Sequence, residues 1–316
     1  MSTQGSDRLS KGDIISFIAL LLMGVIVFFG MNFKTLGDKV PSIIVALLLV
    51  VVMTVFVFLA AHAKAQNRNQ AMWRNVEYAM LGLYILALVP CYIYGAKFFD
   101  IYFDKASITQ QVQTDIEGIN KMFADYNKKC ESRCNSYQIA LESMLNDSQG
   151  REKLAALLEI DEDEVTKQNV LQAAESFSNM LKGGDYKILE AEKNSIENNL
   201  LTNIKNWNIL FIPQYVSELE TARSKYTKEL KNIYIQHKND IETNVPEFNT
   251  NEYVTESSVK EIFAGNTGFS GIGLLAIIIL GALGLVKYIL GEKRTVIDFQ
   301  EGDATSITED GGFTIG

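Results

Sequence analysis

Few side chains in this sequence have the type and spacing to do chemistry. Cys130 and Cys134 stand one helical turn apart. In an oxidising compartment two such thiols are candidates for a disulfide. Their Cα spacing on a helix is within reach, but the side chains run parallel, so the bond would be strained. Two small core residues on a buried stripe account for them equally well. A metal site needs more ligands, and no histidine lies nearby in sequence, so neither metal nor cofactor is expected. Cys91 falls inside an apolar block and reads as inert. The only histidines are His62 and His237. His237 lies on an apolar stripe, where a satisfied core histidine is the usual case and a pH sensor the alternative. The acids Asp161, Glu162, Asp163 and Glu164 lack the alternating ligands and central glycine of a calcium loop. Acids in the first turn of a helix need no further reason.

The run Gly268-Phe269-Ser270-Gly271 resembles the G-x-S-G pattern of rhomboid-type intramembrane serine proteases. That resemblance implies a serine nucleophile, which needs a histidine base on a neighbouring span. No histidine follows Ser270, and neither histidine lies within a span. A hinge of glycine and serine explains the same residues. Phosphate-loop, dinucleotide and zinc-protease patterns are absent from the sequence. No catalytic residue is expected, and the chain reads as a non-enzyme.

The elements around these residues are helical. From Ile108 the apolar positions run through Val112, Ile116, Ile119, Phe123, Tyr126, Cys130, Cys134, Tyr137 and Leu141 to Met144. Steps of three and four place them on one stripe, and near-heptad spacing favours coiled-coil-like packing at a shallow angle. Tyr215, Leu219, Ala222, Tyr226, Leu230, Ile233, His237 and Ile241 repeat the pattern. Between them one helix is predicted over 162–182, with Asp161 as N-cap and Gly183-Gly184 as its stop. Another runs from Asp185 to Trp207 and ends before Pro213, which suits the start of the next helix. Strand signals are scarce. An antiparallel bundle of about four helices is the simplest arrangement.

Four apolar blocks flank this stretch, at about 14–33, 41–61, 76–96 and 269–290. Each is long enough to cross a bilayer. The fold class expected is therefore an all-α membrane protein: four transmembrane helices, with the bundle of residues 98–268 inserted between the third and fourth. Pro41 is placed at the start of its helix, and Pro90 within the third span, where proline is tolerated. Trp73 and Tyr78 suit an interface. Lys287 is close enough to its helix end to snorkel. Gly271, Gly273, Gly281 and Gly284 permit close helix contacts. Acidic and basic side chains are missing from mid-span, unlike in ion-coupled transporters. A net charge of −9 over 316 residues excludes the basic patch of a nucleic-acid binder.

Arg8, Lys11, Lys64, Arg68, Arg74, Lys293 and Arg294 share one side, and Lys34 and Lys39 the other. The positive-inside rule then sets residues 1–13 and the acidic tail 291–316 in the cytoplasm and 98–268 outside, most simply at a bacterial inner (plasma) membrane. The tail carries Thr305, Ser306 and Thr308 as candidate phosphorylation sites and two short apolar pieces fit for docking. The layout resembles bacterial sensors whose four-helix extracytoplasmic domain sits between two spans. That resemblance implies a ligand- or partner-binding domain outside and output through a protein partner. A structural subunit of an envelope complex and a channel or transport accessory are the competing readings. Expected partners are the lipid bilayer, proteins bound through the bundle or the tail, and a second copy of the chain. A reporter enzyme fused after Gly150 is expected to be active outside the cytoplasm, and activity confined to the cytoplasm would overturn the orientation.

Overall fold

Every regular element of the computed structural model is helical among the residues it describes, which are 10–66, 70–239, 241–242, 245–249, 253, 258–265 and 268–291. Helices α1 (Lys11–Lys34), α2 (Lys39–Ala65) and α3 (Gln70–Phe103) come first. They are followed by α4 (Lys105–Leu145), α5 (Ser148–Leu158), α6 (Lys167–Lys182), α7 (Gly184–Lys205), α8 (Ile212–Gln236) and α9 (Ser258–Ala264). The last pair is α10 (Gly271–Gly284) and α11 (Val286–Leu290).

Four of these segments are long and apolar enough to cross a membrane: Lys11–Lys34, Lys39–Ala65, Ala71–Phe103 and Gly271–Leu290. Their outward faces carry Leu22, Ile44, Leu48, Val51, Leu86 and Leu275, each about half exposed or more. A soluble fold would bury such side chains; here hydrocarbon covers them. The faces turned inward make a separate core of Leu20, Met23, Val27, Leu49, Met53, Val57, Tyr84, Cys91 and Ile277. Lipid gives no hydrophobic gain between spans, so close packing must hold them. At Gly30 a Cβ would fall 1.8 Å from the Tyr94 carbonyl oxygen, so α1 and α3 touch backbone to backbone. At Gly284 it would fall 2.3 Å from the Tyr84 hydroxyl, which donates to the Gly281 carbonyl at 2.8 Å. Gly273 and Gly281 also meet α3 closely, as expected, whereas Gly271 meets no neighbouring helix within 4 Å.

One end of the spans is tied by polar contacts. Lys287 pairs with Asp13 at 2.6 Å, and its amide donates to Ser16 Oγ at 2.8 Å. Lys287 therefore reaches the first turn of α1. Lys64 donates to the Tyr288 carbonyl at 2.7 Å, satisfying a last-turn acceptor of α11. Tyr288 in turn donates to Glu77 at 2.6 Å. The starts of α1 and α3 and the ends of α2 and α11 thus lie together.

Helix α3 has 34 residues and is about 50 Å long, well beyond a hydrocarbon core of about 30 Å. Pro90 lies within it. Only Asp104 separates it from the 41 residues of α4. The stripe on α4 is buried from Ile108 to Cys130 and again at Leu141, with Cys134 and Tyr137 half-buried between. Helices α6, α7, α8 and α9 all touch α4. Several sequence expectations need correction. Residues 162–182 are not one helix: Glu162–Glu164 form a separate 3-10 turn, and Thr166, not Asp161, caps α6 in a box with Asn169. Ser148–Leu158 is a further helix, over a small tip core of Leu141, Leu154, Val165 and Val170. Pro41 is the third residue of α2, where its missing amide proton still costs nothing. Helix α8 stops at Gln236, so His237 and Ile241 lie outside it.

Gly30→Val forces Tyr94 away and is expected to destabilise the detergent-solubilised chain by about 1–3 kcal/mol. Gly82→Ala, in a helix with nothing within 4 Å of the new Cβ, should leave the thermal midpoint unchanged or raise it slightly.

Candidate functional site

Two arginines sit where the stripe pattern calls for apolar side chains. Arg133 on α4 and Arg223 on α8 are 2 % and 5 % exposed. Each holds described residues of the chain between α8 and α9. Arg133 donates from Nε and from a terminal nitrogen to the Glu242 carboxylate, at 2.8 and 2.5 Å. Its remaining donors reach the Tyr234 and His237 carbonyls at 2.5 and 2.8 Å. Those carbonyls belong to the end of α8, so the guanidinium also caps that helix and opposes its dipole. The Tyr234 ring lies against it, with the guanidinium carbon 4.6 Å from the centroid. Arg223 donates twice to the Tyr253 carbonyl, at 3.1 and 2.8 Å. Tyr253 donates to Asp125 at 2.5 Å, and Lys129 holds the Glu247 carbonyl at 2.6 Å. The described parts of this segment thus form a strap across α4.

Beneath the strap lies an aromatic core. Tyr126 stacks on Tyr186 with centroids 5.2 Å apart and meets Tyr234 and Phe248 edge-on. Its hydroxyl donates to the Leu181 carbonyl at 2.7 Å. Burial pushes the phenols of Tyr126 and Tyr226 well up, and those of Tyr186 and Tyr234 up to about 12. The same core takes in Phe33 at the end of α1, Ile101 near the end of α3 and Phe263 on α9. Apolar packing therefore runs without a break from the strap to the exits of the spans.

A second set of contacts lies at those exits. The turn between α1 and α2 places Gly37 at φ 92°. A Cβ there would lie 2.6 Å from the Gln214 amide nitrogen, so this turn rests directly on the start of α8. Asn32 donates to the Leu210 carbonyl at 3.4 Å, and the Lys39 ammonium lies 4.3 Å from the Phe211 ring centroid. Beside this seat a cavity of about 210 Å³ is lined by residues that include Lys34, Tyr92, Tyr94, Lys97, Gly265 and Gly268.

The residues singled out by sequence fall elsewhere or act differently. Cys130 and Cys134 stand as free thiols, the first buried among the aromatics and the second half-buried. Burial pushes the Cys130 thiol up to about 11 and raises Cys134 as well, so neither is a thiolate at neutral pH. His237 is not a core histidine; it is half-buried just past α8 and contributes its carbonyl to Arg133. His62 is exposed and meets Trp73 edge-on near the other end of the spans. Ser270 caps α10: its Oγ accepts from the Gly273 amide at 3.3 Å, and its own amide donates to the Tyr92 hydroxyl. The acids at 161–164 are fully on the surface. No cluster that could hold a metal ion occurs among the described residues. Thr305, Ser306 and Thr308 lie outside the described residues.

Sequence reading missed the strap, although a signal for it existed. Arg133 is three residues from Cys130, and Arg223 three from Tyr226, so both fall on stripes otherwise apolar. An arginine in that position requires a partner. The four spans make this an integral membrane protein. No family model, curated protein or solved structure matches the chain.

Arg133→Met removes the cap on α8 and leaves Glu242 without its cation. The chain is expected to lose about 3 kcal/mol, read by denaturant unfolding followed at the tyrosines. Arg133→Lys should recover little of this, because an ammonium cannot serve a bidentate carboxylate and two carbonyls at once. Full stability in Arg133→Lys would show that the forked geometry is unimportant.

Proposed function

We propose that this chain is a non-enzymatic membrane sensor or signalling scaffold. In this reading residues 98–268 form an antiparallel helical bundle outside the cytoplasm, which binds a ligand or partner. Both termini are cytoplasmic, at a bacterial inner (plasma) membrane, and the acidic tail after α11 docks a protein. The observation that carries the reading is the unbroken core from Phe248 through Tyr226 to Phe33 and Ile101. A binding event that repacked the strap would move residues in direct contact with α1 and α3. A domain merely tethered outside would have no reason to share its core with two spans. The strap suits a switching role, since its described residues are held by a few charged contacts that could be made or released together.

A second reading, a structural subunit of an envelope complex, is favoured by one feature. An apolar groove of about 220 Å³ runs between α1 and α2, lined by Leu21, Gly24, Val25, Phe28 and Leu47 among others. It would accept a helix of a neighbouring subunit.

Purification of the intact chain in mild detergent, beside a version ending at Arg294, separates these readings by mass spectrometry of what accompanies each. The sensor reading expects a protein partner with the intact chain that is lost with the tail. Identical partners with both versions would favour the structural subunit and contradict a docking tail.

A further inference from the structure

We propose that the cavity at the exits of α1 and α3 binds a phosphate group, a function that does not depend on the sensor reading. The close approach of Gly30 to Tyr94 fixes the heights of the two helices, which run in parallel. Lys34 is four residues beyond that contact and Lys97 three residues beyond it, about 6 and 4.5 Å further along at 1.5 Å per residue. The two cations are therefore level, and both line the same cavity of about 210 Å³. Lys34 also ends the apolar run of α1, which sets this level at the lipid headgroups. The exposed rings of Phe269 and Tyr102 on neighbouring segments suit that depth.

Lys97 is 7 % exposed, yet no carboxylate lies within ion-pair distance of it among the described residues. One of its three N–H bonds goes to the Gly265 carbonyl at 3.0 Å. Asp100 stands one turn further along α3. Burying an ammonium without a paired anion is costly, and a second cation on the same cavity raises the cost. A phosphate between the two would relieve both. Its oxygens would accept from the Lys97 and Lys34 ammonium groups, and Tyr92 and Tyr94 line the cavity beside them. The Lys34 ammonium lies 5.8 Å from the Tyr94 centroid. Because Gly265 follows α9 and α3 carries Lys97, an occupied cavity would join the span exits to the last helix of the extramembrane part. The phosphate could come from an anionic lipid headgroup or from solution.

Native mass spectrometry of the intact chain in nonionic detergent distinguishes the sources. The probes are phosphatidylglycerol, diacylglycerol with the same tails and no phosphate, and inorganic phosphate. One phosphatidylglycerol per chain is expected to be retained over diacylglycerol. Retention should weaken about five-fold in Lys34→Gln, the effect of about one lysine near a membrane surface, and more in Lys97→Gln. Lys39→Gln, on the same side but off the cavity, should bind like the parent chain. Tight binding of phosphatidylglycerol with none of inorganic phosphate assigns the lipid as the source; equal binding of both assigns the free anion. The proposal is overturned if neither probe is retained, if diacylglycerol is held as well, or if Lys39→Gln weakens binding as much as Lys34→Gln. Should Lys97→Gln fail to fold, the exposed Lys34 decides the matter alone.

Discussion

The backbone contact between Gly30 and Tyr94 sets the geometry on which most of the structure depends. Any larger residue at position 30 would push α1 away from α3. With the two helices in register, Phe33 reaches Phe263, and Asn32 reaches the Leu210 carbonyl. The α1–α2 turn then arrives beneath Gln214. At the far end the same register brings the Asp13 carboxylate to Lys287. Helices in a bilayer gain little from hydrophobic burial against each other, so small residues and a few polar contacts must do what a water-driven core does elsewhere. The extramembrane half obeys the opposite rule: its core is large, aromatic and sealed from water.

Those two regimes meet where α3 leaves the bilayer, and charge is used differently on each side of that meeting. Away from the spans, Arg133 and Arg223 are buried with their donors directed at carbonyls and a carboxylate, so each cation fastens described residues of the chain between α8 and α9. The Glu242 pair is bidentate and mostly shielded, unlike the exposed ion pair of Lys182 with Glu131, which contributes little. At the exits, Lys97 is buried with a single carbonyl and a cavity in front of it. The first arrangement is a fastening, and the second is the one proposed to take an anion.

How far the sequence could be read depended on which force shaped each element. Apolar runs nearly free of charge marked the four spans, the first, second and fourth to within a few residues; the third, expected over 76–96, extends over Ala71–Phe103. The α4 stripe, the stop at Gly183 and the start at Pro213 were equally legible, since each rests on local periodicity or backbone chemistry. Failure came where tertiary contacts overrode the pattern. Ile233, His237 and Ile241 keep helical spacing, yet α8 ends at Gln236, where Arg133 captures the Tyr234 and His237 carbonyls. Thr166 displaced Asp161 as the cap because Asn169 is placed to complete a reciprocal box. The cavity was invisible because Lys34 and Lys97 are far apart in the chain and are brought level only by glycine packing.

The central claim is that the extramembrane helices rest on the α1–α2 turn and so share their movements with the spans. Its most direct test is oxidative cross-linking of Gly37→Cys with Gln214→Cys in the full chain in membranes. A Cβ at Gly37 would lie 2.8 Å from that of Gln214, about 1 Å less than a disulfide needs, so the turn must move outward by about that much for the bond to close. The account predicts rapid formation of one intramolecular bond, seen as a mobility change reversed by reductant. Absence of that bond, with both cysteines open to thiol reagents, would contradict it.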